Sequence, residues 1–576
     1  MKNIKLKVGA LLASTVLMVA VSCSDSFLEI APTGLLAETQ LTSLAGLDAS
    51  LIAAYSQVNG RFQRMASPSN WVWGSIQGGD ANKGTDPGDF NTINPIQRFE
   101  TDANNVNILE NWNGLYEGIA RSNNVLRLLL SKGADVTDAD VKRISAQARF
   151  LRGHYYFQLK RNFDDVPYVT ETDDYGSGLE DIVNNVEIWP MIEADFQFAV
   201  DNLAPTQGQI GRVNSWAAKA YLAKVYLYQD KFPQAKTLFD DVITNGVTSG
   251  GDKYDLVSNY GNLFRGEYDN NAESIWSYQS AAGTGSVNNA NPEFDLNNPY
   301  NSAAPGVCCG FFAPSFTFVN SFRTSSNGLP LLDGSYNTTA NLVKNDMGIP
   351  TDEPFTIDQG PIDPRVDHTT GRRGIPYIDW VNHPGQSWIR QQAYSGPYSV
   401  KKYVYSRTEV GTYQDNSTWT PGYTGINVNI IRFADVLLMA AEAEVETGGL
   451  EKAREYVNRV RTRAMNSKVM ELDGSGPAAN YEVGLYTTPW SDAMAARTAV
   501  RFERKLELGM EGHRFYDLVR WGTAAEELNA YLAFDGARLL NALGGATYIA
   551  KHSILPIPQN QIDLVGPDIL IQNPGF

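Results

Sequence analysis

The acidic pair Glu507 and Glu511 is the first place to look for catalysis, because two carboxylates can act as an acid and a base. They stand four residues apart and share one face of a helix, where like charges split their pKa values. Arg504 and Arg514 each lie three residues outside the pair. The pattern therefore favours a structural network of ion pairs in residues 501–520 over a catalytic site.

Other patterns of catalytic residues do not occur in the sequence. The five histidines include no pair at helical spacing and no H-E-x-x-H motif, so a zinc site is not predicted. Neither a G-x-S-x-G elbow nor a phosphate-binding loop is found. Asp86 and Asp89 lie in an Asp-rich loop, but their spacing matches no calcium-binding motif. We predict a protein without catalytic activity, metal or cofactor.

Aromatic and polar residues between positions 71 and 82 suggest a different chemistry. Trp71 and Trp73 are followed closely by Asp80 and Asn82. The C–H face of a sugar ring stacks on an aromatic ring, while carboxylates and amides hydrogen-bond its hydroxyl groups. We therefore predict Trp71, Trp73, Asp80 and Asn82 as residues that bind a glycan. The alternative is that the alternating tryptophans are buried in the core.

The remaining aromatic residues are weaker candidates for a ligand site. Phe311, Phe312, Trp388 and Trp419 stand in segments with loop composition, and we expect each of them to be packed rather than exposed. Trp276 lies in an apolar segment, residues 274–278, that is typical of a strand in the core.

Helical periodicity dominates the elements that must position these residues. One amphipathic helix is predicted from large residues at three- and four-residue steps, which are Trp112, Tyr116, Ile119, Asn123 and Leu126. A second amphipathic helix covers residues 141–163 and ends before Pro167.

Two segments have the pattern of a tetratricopeptide-like hairpin. Residues 214–245 contain two helices joined by a turn at Asp230-Lys231, with small residues opposite large ones over about 34 residues. A similar pair returns at residues 436–446 and 453–464, separated by Gly448-Gly449. Such units stack on one another, so we predict a short helical-repeat scaffold.

The composition changes between residues 251 and 425, where Gly, Asn, Pro, Ser and aromatic residues replace helical patterns. We predict an all-α fold in one folded body, with a tetratricopeptide-like helical-hairpin scaffold. Its helical N-terminal region is 23–250, and its C-terminal region, 251–576, is loop-rich at 251–425 and helical at 426–576. Loops held by a rigid scaffold commonly bind ligands, so the irregular region is the expected ligand-binding part.

The N-terminus predicts export and lipid anchoring. Three lysines precede an uncharged apolar run at residues 8–21, which ends in Ser22-Cys23. This is the plan of a secretory signal, 1–22, that is too short to span a bilayer comfortably. We expect Cys23 to become the acylated N-terminus that holds the protein in a membrane. The alternative is ordinary cleavage nearby, with Cys23 a bystander.

The net charge narrows the class of possible partners. The formal net charge of −17 argues against a nucleic-acid partner, because phosphate binding needs a basic surface.

Cys308 and Cys309 are adjacent, and they either form a vicinal disulfide or remain free thiols; the sequence does not choose between these states.

Segments spread over nearly the whole chain resemble the SusD/RagB family of outer-membrane nutrient-binding lipoproteins. No single segment is diagnostic, but their order and coverage are, and they include ARFLRGHYYF at 148–157, RFADVLLMAAEA at 432–443, ERKLEL at 503–508 and DLVRWG at 517–522. Further segments that carry the resemblance are CSDSFL at 23–28, residues 112–126, FDDVP at 163–167, residues 216–242, Glu511-Gly512, LPIP at 555–558 and QNPGF at 572–576.

The resemblance implies a helical fold with tetratricopeptide-like units and a non-catalytic function. It also implies that the protein is attached to the outer membrane through Cys23 and displayed on the cell exterior. It further implies association with a SusC-like TonB-dependent transporter. The expected ligand is an oligosaccharide. Two alternatives stay open: an oligopeptide binder of the same family, and a glycoside hydrolase that uses two carboxylates.

Overall fold

The computed structural model describes residues 38–60, 65–291 and 294–576. The predicted signal 1–22 and the predicted lipidation site Cys23 lie outside the described residues. Within these described ranges, no helix is both long enough and apolar enough to cross a membrane.

Helices form the framework, which confirms the predicted fold class. Where the structure describes the chain, the helices of seven or more residues are α1 (Leu44–Ser56), α2 (Val106–Leu130), α3 (Asp138–Phe163), α4 (Trp189–Asn202), α5 (Ser215–Leu227), α6 (Phe232–Asn245), α7 (Phe433–Glu446), α8 (Leu450–Met465), α9 (Ala493–Leu508), α10 (Arg514–Arg520), α11 (Ala524–Gly536) and α12 (Gln559–Val565). Shorter helices are Glu38–Leu41, Asn94–Gln97, Phe316–Ser321, Arg365–Thr369, Gln392–Ser395 and Leu540–Leu543.

The two predicted helical hairpins are present as α5–α6 and α7–α8. The side chain of Asn214 accepts a hydrogen bond from the Ala217 N–H and caps α5, and Pro233 occupies the first turn of α6. Between α7 and α8, Gly448 adopts a φ of 86°, a left-handed conformation that favours glycine. Local turn chemistry therefore sets both hairpins.

The long helices stack in chain order. Helix α2 packs on α3, α3 on α4, α4 on α5 and α5 on α6, and α6 then packs on α7. Helix α1 lies against α2 and α3, and α9 lies against α7 and α8. The apolar stripe of each helix is buried by its neighbour, so the N-terminal and C-terminal hairpins share one core.

The region 251–425 contains loops and very short strands, as its composition predicts. Among the described residues, the strands form two-stranded antiparallel sheets, and one of these sheets joins a strand of the N-terminal region to a strand of the C-terminal region. They are β1 (Ala81–Gly84), β2 (Ser274–Tyr278), β3 (Phe311–Pro314), β4 (Thr370–Gly371), β5 (Pro376–Tyr377), β6 (Val381–Asn382), β7 (Ser399–Val400), β8 (Gln414–Asp415), β9 (Tyr423–Thr424) and β10 (Val428–Arg432), paired β1–β3, β2–β10, β4–β7, β5–β6 and β8–β9.

Strand β2 ties the irregular region to the helical scaffold. Trp276 is buried, with its ring centroid 4.8 Å from those of Phe150 and His154 on α3. The prediction that Trp276 is a core residue on a strand is confirmed. Burial lowers the pKa of His154 to about 3, so this histidine is a neutral core residue at physiological pH.

A buried ionic cluster lies where β10, α8 and α9 meet. Glu507 contacts Arg432 at 2.6 Å, Arg365 at 2.9 Å and also Arg463. Burial acts to raise the pKa of Glu507, but the three guanidinium groups together hold that pKa well below its usual range. Glu511 accepts hydrogen bonds from Arg432 at 2.8 Å and from Lys402 at 2.7 Å. The structure thus gives both carboxylates structural partners.

The predicted network of structural ion pairs in residues 501–520 is present, but the partners of Arg504 and Arg514 are not the ones that stand close to them in sequence. Arg504 pairs with Asp435 and Asp517, at 2.9 Å each, and Arg514 pairs with Glu527 at 3.0 Å. Neither arginine contacts the carboxylates that it flanks in sequence, because the charges meet partners from other segments of the chain.

The adjacent cysteines form a disulfide, which decides the question that the sequence left open. Cys308 and Cys309 are bonded to each other in the segment that precedes β3. The exposed side chain of Val307 stands directly before them.

We predict that Glu507→Gln destabilises the protein by about 3–5 kcal/mol, because it leaves several buried guanidinium groups without a full counter-charge. The matched control is Glu451→Gln, which removes an exposed pair with Arg454 on α8 and is expected to cost far less, because solvent screens that pair. Urea unfolding followed by circular dichroism measures both. Equal small losses for the two variants would contradict a central role for the cluster.

Candidate functional site

The structure places Trp71 and Trp73 in the core, contrary to the expected exposed stacking surface. Both lie in a π-helical turn, Trp71–Ile76, and each is 1% exposed. The ring of Trp71 meets that of Phe312 edge-on at 5.7 Å, and the indole N–H of Trp73 donates to the Met65 carbonyl at 2.6 Å. The expectation of exposure was therefore wrong, since neither ring offers a free face to a sugar.

Asp80 and Asn82 are also 1% exposed each. Asp80 accepts a hydrogen bond from the Met510 N–H at 2.9 Å, and burial raises its pKa to about 6. Asn82 donates to the Ser395 carbonyl at 3.0 Å and accepts from the Gly84 N–H at 2.8 Å. Both side chains are used inside the fold, so a direct ligand role for them has no support from the geometry.

Among the weaker aromatic candidates, one is exposed. Phe311, Phe312 and Trp388 are buried, as expected, whereas Trp419 is 61% exposed. The expectation that Trp419 is packed was wrong. No local pattern distinguishes Trp419 from the other three residues, because all four stand in segments of similar composition.

A cleft of about 730 Å³ opens in the loop-rich region beside the half-exposed ring of Tyr300. One wall is formed by residues 347–352 and the other by residues 386–393. The Ser387 N–H donates to the Thr351 hydroxyl at 2.9 Å and joins the two walls. We call this space the Tyr300 cleft. Its volume lies in the range of pockets that hold small ligands, about 300–1,000 Å³.

Arg373 holds the first wall through main-chain contacts. Its guanidinium donates to the carbonyls of Ile349, Pro350, Thr351 and Glu353, at distances from 2.6 to 3.4 Å. Because one rigid, planar group binds four successive parts of the loop, the wall keeps its shape without regular secondary structure.

Arg390 anchors the second wall and the aromatic ring. It lies over the ring of Tyr300 at 5.6 Å and pairs with Asp86 at 2.7 Å and Asp89 at 2.6 Å. The ammonium of Lys83 donates to the carbonyls of the same two aspartates, at 2.8 and 2.5 Å. The side chains of Arg390 and Lys83 thus supply the positive charge in the loop of Asp86 and Asp89, whose spacing in the sequence matches no calcium-binding motif. In the described part of the molecule, no group of acidic, His and Cys residues is arranged to hold a metal.

Of the four predicted residues, Asn82 supports the Tyr300 cleft from behind. Strand β1, which carries Asn82, pairs with β3 and leads directly into the loop of Asp86 and Asp89. The Asn82 contact to Ser395 fixes the short helix Gln392–Ser395, whose first residues line the cleft. Sequence reasoning therefore found a supporting segment and missed the site itself.

The exposed ring of Trp419 belongs to a loop held against the segment that carries Tyr300. Thr420, which follows Trp419, donates to the Gly306 carbonyl at 2.9 Å, and the Gly306 N–H donates to the Tyr405 hydroxyl at 2.8 Å. These contacts place the Trp419 loop against the segment 300–310 that includes the disulfide. Two exposed aromatic rings thus belong to one connected group of loops.

The Tyr300 cleft has the groups that recognise a sugar. Tyr300 supplies an aromatic face, and the amides of Gln386 and Gln391, the hydroxyl of Ser387 and the carboxylate of Asp352 supply hydrogen-bonding groups around it. The only local signal in the sequence was the loop composition of the Asn-Asn-Pro-Tyr segment that ends at Tyr300.

Comparison with protein families gives matches over both halves of the chain. Residues 272–576, more than half of the sequence, match the model described as "SusD family". Residues 53–227 match a second model, described as "Starch-binding associating with outer membrane". The first match includes the ionic cluster and the Tyr300 cleft.

Similar proteins share most of the length of this chain. SusD-like protein P25 of Formosa agariphila is 25% identical over 456 residues, which cover 75% of each chain. The solved structure of a laminarin-binding SusD-like protein has a TM-score of 0.65 at 24% identity, with 92% of this chain and 99% of that chain covered. Surface glycan-binding protein A of Bacteroides thetaiotaomicron, solved with laminarihexaose, has a TM-score of 0.62 at 20% identity and covers 92% and 100%. The structural likenesses show that the fold is shared.

We predict that Asp80→Asn changes how stability depends on pH. The folded pKa of about 6 is raised above the ordinary 3.8, so the contribution of protonated Asp80 is fully present below about pH 4 and is lost as pH rises through about 6. Between pH 4 and pH 7.5 the variant should gain about 3 kcal/mol relative to the parent, since two pKa units correspond to about that energy.

Urea unfolding at several pH values measures this difference, and any constant cost of the new amide cancels in the comparison. Asn82→Ala is the control, because it removes a buried hydrogen bond without a titrating group and should shift stability equally at every pH. Parallel profiles of stability against pH for the parent and Asp80→Asn would rule out a raised pKa of Asp80 in the folded protein.

Proposed function

This chain belongs to the SusD family, and on that premise we propose that it is a cell-surface glycan-binding lipoprotein that captures oligosaccharides in the Tyr300 cleft. The observation that carries the proposal is the half-exposed Tyr300 ring, which faces a cleft of about 730 Å³ whose walls present amide and hydroxyl groups. The names of similar proteins, which refer to starch and laminarin, support a glycan as the ligand class.

We further propose that Cys23 carries the lipid that holds the protein at the outer membrane, facing the cell exterior. The captured glycan is then handed to a SusC-like TonB-dependent transporter. The family description, which refers to association with the outer membrane, supports this location. Lipid attachment and the transporter contact are proposed from the signal in the sequence and from the family.

Binding without hydrolysis is supported by the chemistry of the Tyr300 cleft. A glycoside hydrolase needs two carboxyl groups about 5–9 Å apart across the scissile bond. Of the described side chains that line the cleft, Asp352 alone carries a carboxylate. Asp86 and Asp89, behind Arg390, are already paired with that arginine. The paired acids Glu507 and Glu511 lie in the buried ionic cluster and do not line the Tyr300 cleft.

An oligopeptide remains the second ligand class. Amide groups bind a peptide backbone as well as sugar hydroxyls, so the walls of the Tyr300 cleft suit both ligands. The exposed aromatic faces of Tyr300 and Trp419 favour a sugar, whose ring C–H groups they can stack against.

We predict that Tyr300→Ala weakens oligosaccharide binding by about tenfold, because a stacked ring contributes on the order of 1 kcal/mol. Trp419→Ala should weaken binding of longer oligosaccharides more than that of short ones, since its loop lies at a different part of the same group of loops. Calorimetric titration of the purified chain against plant, host and microbial oligosaccharides measures both effects, and chromatography afterwards tests whether the ligand stays intact.

Tyr268→Ala is the matched control, because Tyr268 is 39% exposed and does not line the Tyr300 cleft. Unchanged affinity of Tyr300→Ala for oligosaccharides would show that the Tyr300 cleft is not the binding site. Binding of peptides in place of glycans would transfer the proposal to the second ligand class, and shortened glycans after incubation would establish hydrolysis.

A further inference from the structure

A second cleft, of about 450 Å³, lies between α9, α11 and the loop around residues 332–336. Its walls include the aromatic side chains of Tyr336, Phe502 and Trp521 and the cationic side chains of Arg501 and Lys505. We call it the Arg501 pocket. It shares no lining residue with the Tyr300 cleft.

Lys505 is a buried cation without a carboxylate partner. Its side chain is nine-tenths buried, at 7% exposure, and its ammonium donates to the Tyr336 hydroxyl at 3.3 Å. The ammonium also lies 4.9 Å from the ring centroid of Tyr336. Among the described residues, no carboxylate oxygen is within the 4.0 Å of an ion pair with it. An ammonium has three N–H donors, so part of its hydrogen-bonding capacity is unused.

Arg501 stands one helical turn before Lys505 and has the same deficit. Its guanidinium lies 4.8 Å from the ring centroid of Trp521, and its buried Nε has no hydrogen-bond partner among the described residues. Within that part of the chain it also makes no ion pair. Burial lowers the pKa of Arg501, as expected for a cation whose hydration is not fully replaced.

Nearby arginines show that the deficit is specific to these two residues. Arg504 is held by Asp435 and Asp517, Arg514 by Glu527, and Arg520 by Glu442 and Asp517. Arg514 also lines the Arg501 pocket and is paired, so Arg501 and Lys505 differ both from this lining arginine and from Arg504 and Arg520. A buried charge is costly unless it is paired. Two cations that face a cleft and lack a carboxylate partner therefore suggest that a ligand completes the site.

The acidic residues of the pocket do not fill this role. Glu527 is occupied by Arg514, and Asp333 accepts hydrogen bonds from Ser335 in its own loop. Glu526 also lines the cleft, but it forms no ion pair with Arg501 or Lys505 among the described residues. Glu527 attracts both cations at longer range, but none of these acids forms a direct ion pair with Arg501 or Lys505 among the described residues.

We propose that the Arg501 pocket is a second binding site, which takes the oxyanion of an acidic sugar. Arg501 and Lys505 bind a carboxylate or sulfate group through charge-assisted hydrogen bonds, and the rings of Trp521, Tyr336 and Phe502 contact the sugar ring that carries it. The volume of about 450 Å³ accommodates one such residue. The Arg501 pocket selects for acidic units, whereas the Tyr300 cleft is built for neutral rings.

The test is a calorimetric titration of the purified full chain with glucuronate, glucose 6-sulfate, inorganic sulfate and glucose. We expect the two acidic sugars to bind and glucose to bind at least tenfold more weakly. Arg501→Gln should weaken binding of the acidic sugars by about tenfold or more, through the loss of charge-assisted hydrogen bonds. Inorganic sulfate that binds as tightly as glucose 6-sulfate would assign the site to a free anion and overturn the sugar contact.

Lys452→Gln is the matched control, because it removes an exposed lysine of α8 that forms an ion pair with Glu455 and does not line the Arg501 pocket. A thermal shift with each ligand provides a second readout: glucuronate should raise the melting temperature of the parent and of Lys452→Gln, but not that of Arg501→Gln. No acidic ligand bound, or equal binding of glucose and glucuronate, overturns the proposal.

Tyr300→Ala should leave the response to glucuronate unchanged. This variant separates the two sites, because loss of neutral glycan binding with glucuronate binding retained removes only the Tyr300 cleft. Loss of glucuronate binding in Tyr300→Ala would show that the acidic sugar binds there, and it would overturn the Arg501 pocket.

Discussion

The fold depends on one physical interaction, the pairing of opposite charges from distant parts of the chain inside the buried ionic cluster. Glu507 on α9 meets Arg432 at the end of β10 and Arg365 in a short helix, more than a hundred residues earlier in the chain. Lys224 on α5 meets Asp435 on α7 at 3.2 Å. A buried pair adds little net stability, but removing one partner is costly, so such pairs penalise every wrong arrangement of these elements. We infer that the ionic cluster fixes how the helical hairpins and the loop-rich region fit together.

This constraint also explains which parts of the fold were predictable. Apolar residues at three- and four-residue steps gave α2, α3 and both hairpins, because local periodicity decides which face of a helix is buried. The ionic character of residues 501–520 was visible for the same reason. The true partners of Glu507 were not, since Arg365 and Arg432 come from other segments and only the folded chain brings them together.

The candidate site was hidden from sequence reasoning for a related reason. Trp71 beside Asp80 and Tyr300 beside asparagines have similar local composition, yet the first is in the core and the second is half-exposed. Exposure in a loop is decided by what packs over it. Here Phe311 and Phe312 on β3 cover Trp71, while Arg390 leaves a face of Tyr300 beside an open cleft. No pattern within either segment records these long-range contacts.

The residues that carry the family resemblance and the residues that line the Tyr300 cleft lie in different parts of the protein. Membership in the family therefore does not identify the ligand. The segments that carry the family resemblance, RFADVLLMAAEA and ERKLEL, supply Arg432, Asp435, Arg504 and Glu507, all of which are used inside the protein. The first wall of the Tyr300 cleft is instead held by contacts from Arg373 to main-chain carbonyls in residues 349–353. Main-chain contacts do not depend on which side chains the wall carries. The side chains that face the cleft can therefore change without disturbing the wall, and one ionic scaffold can present sites for different glycans.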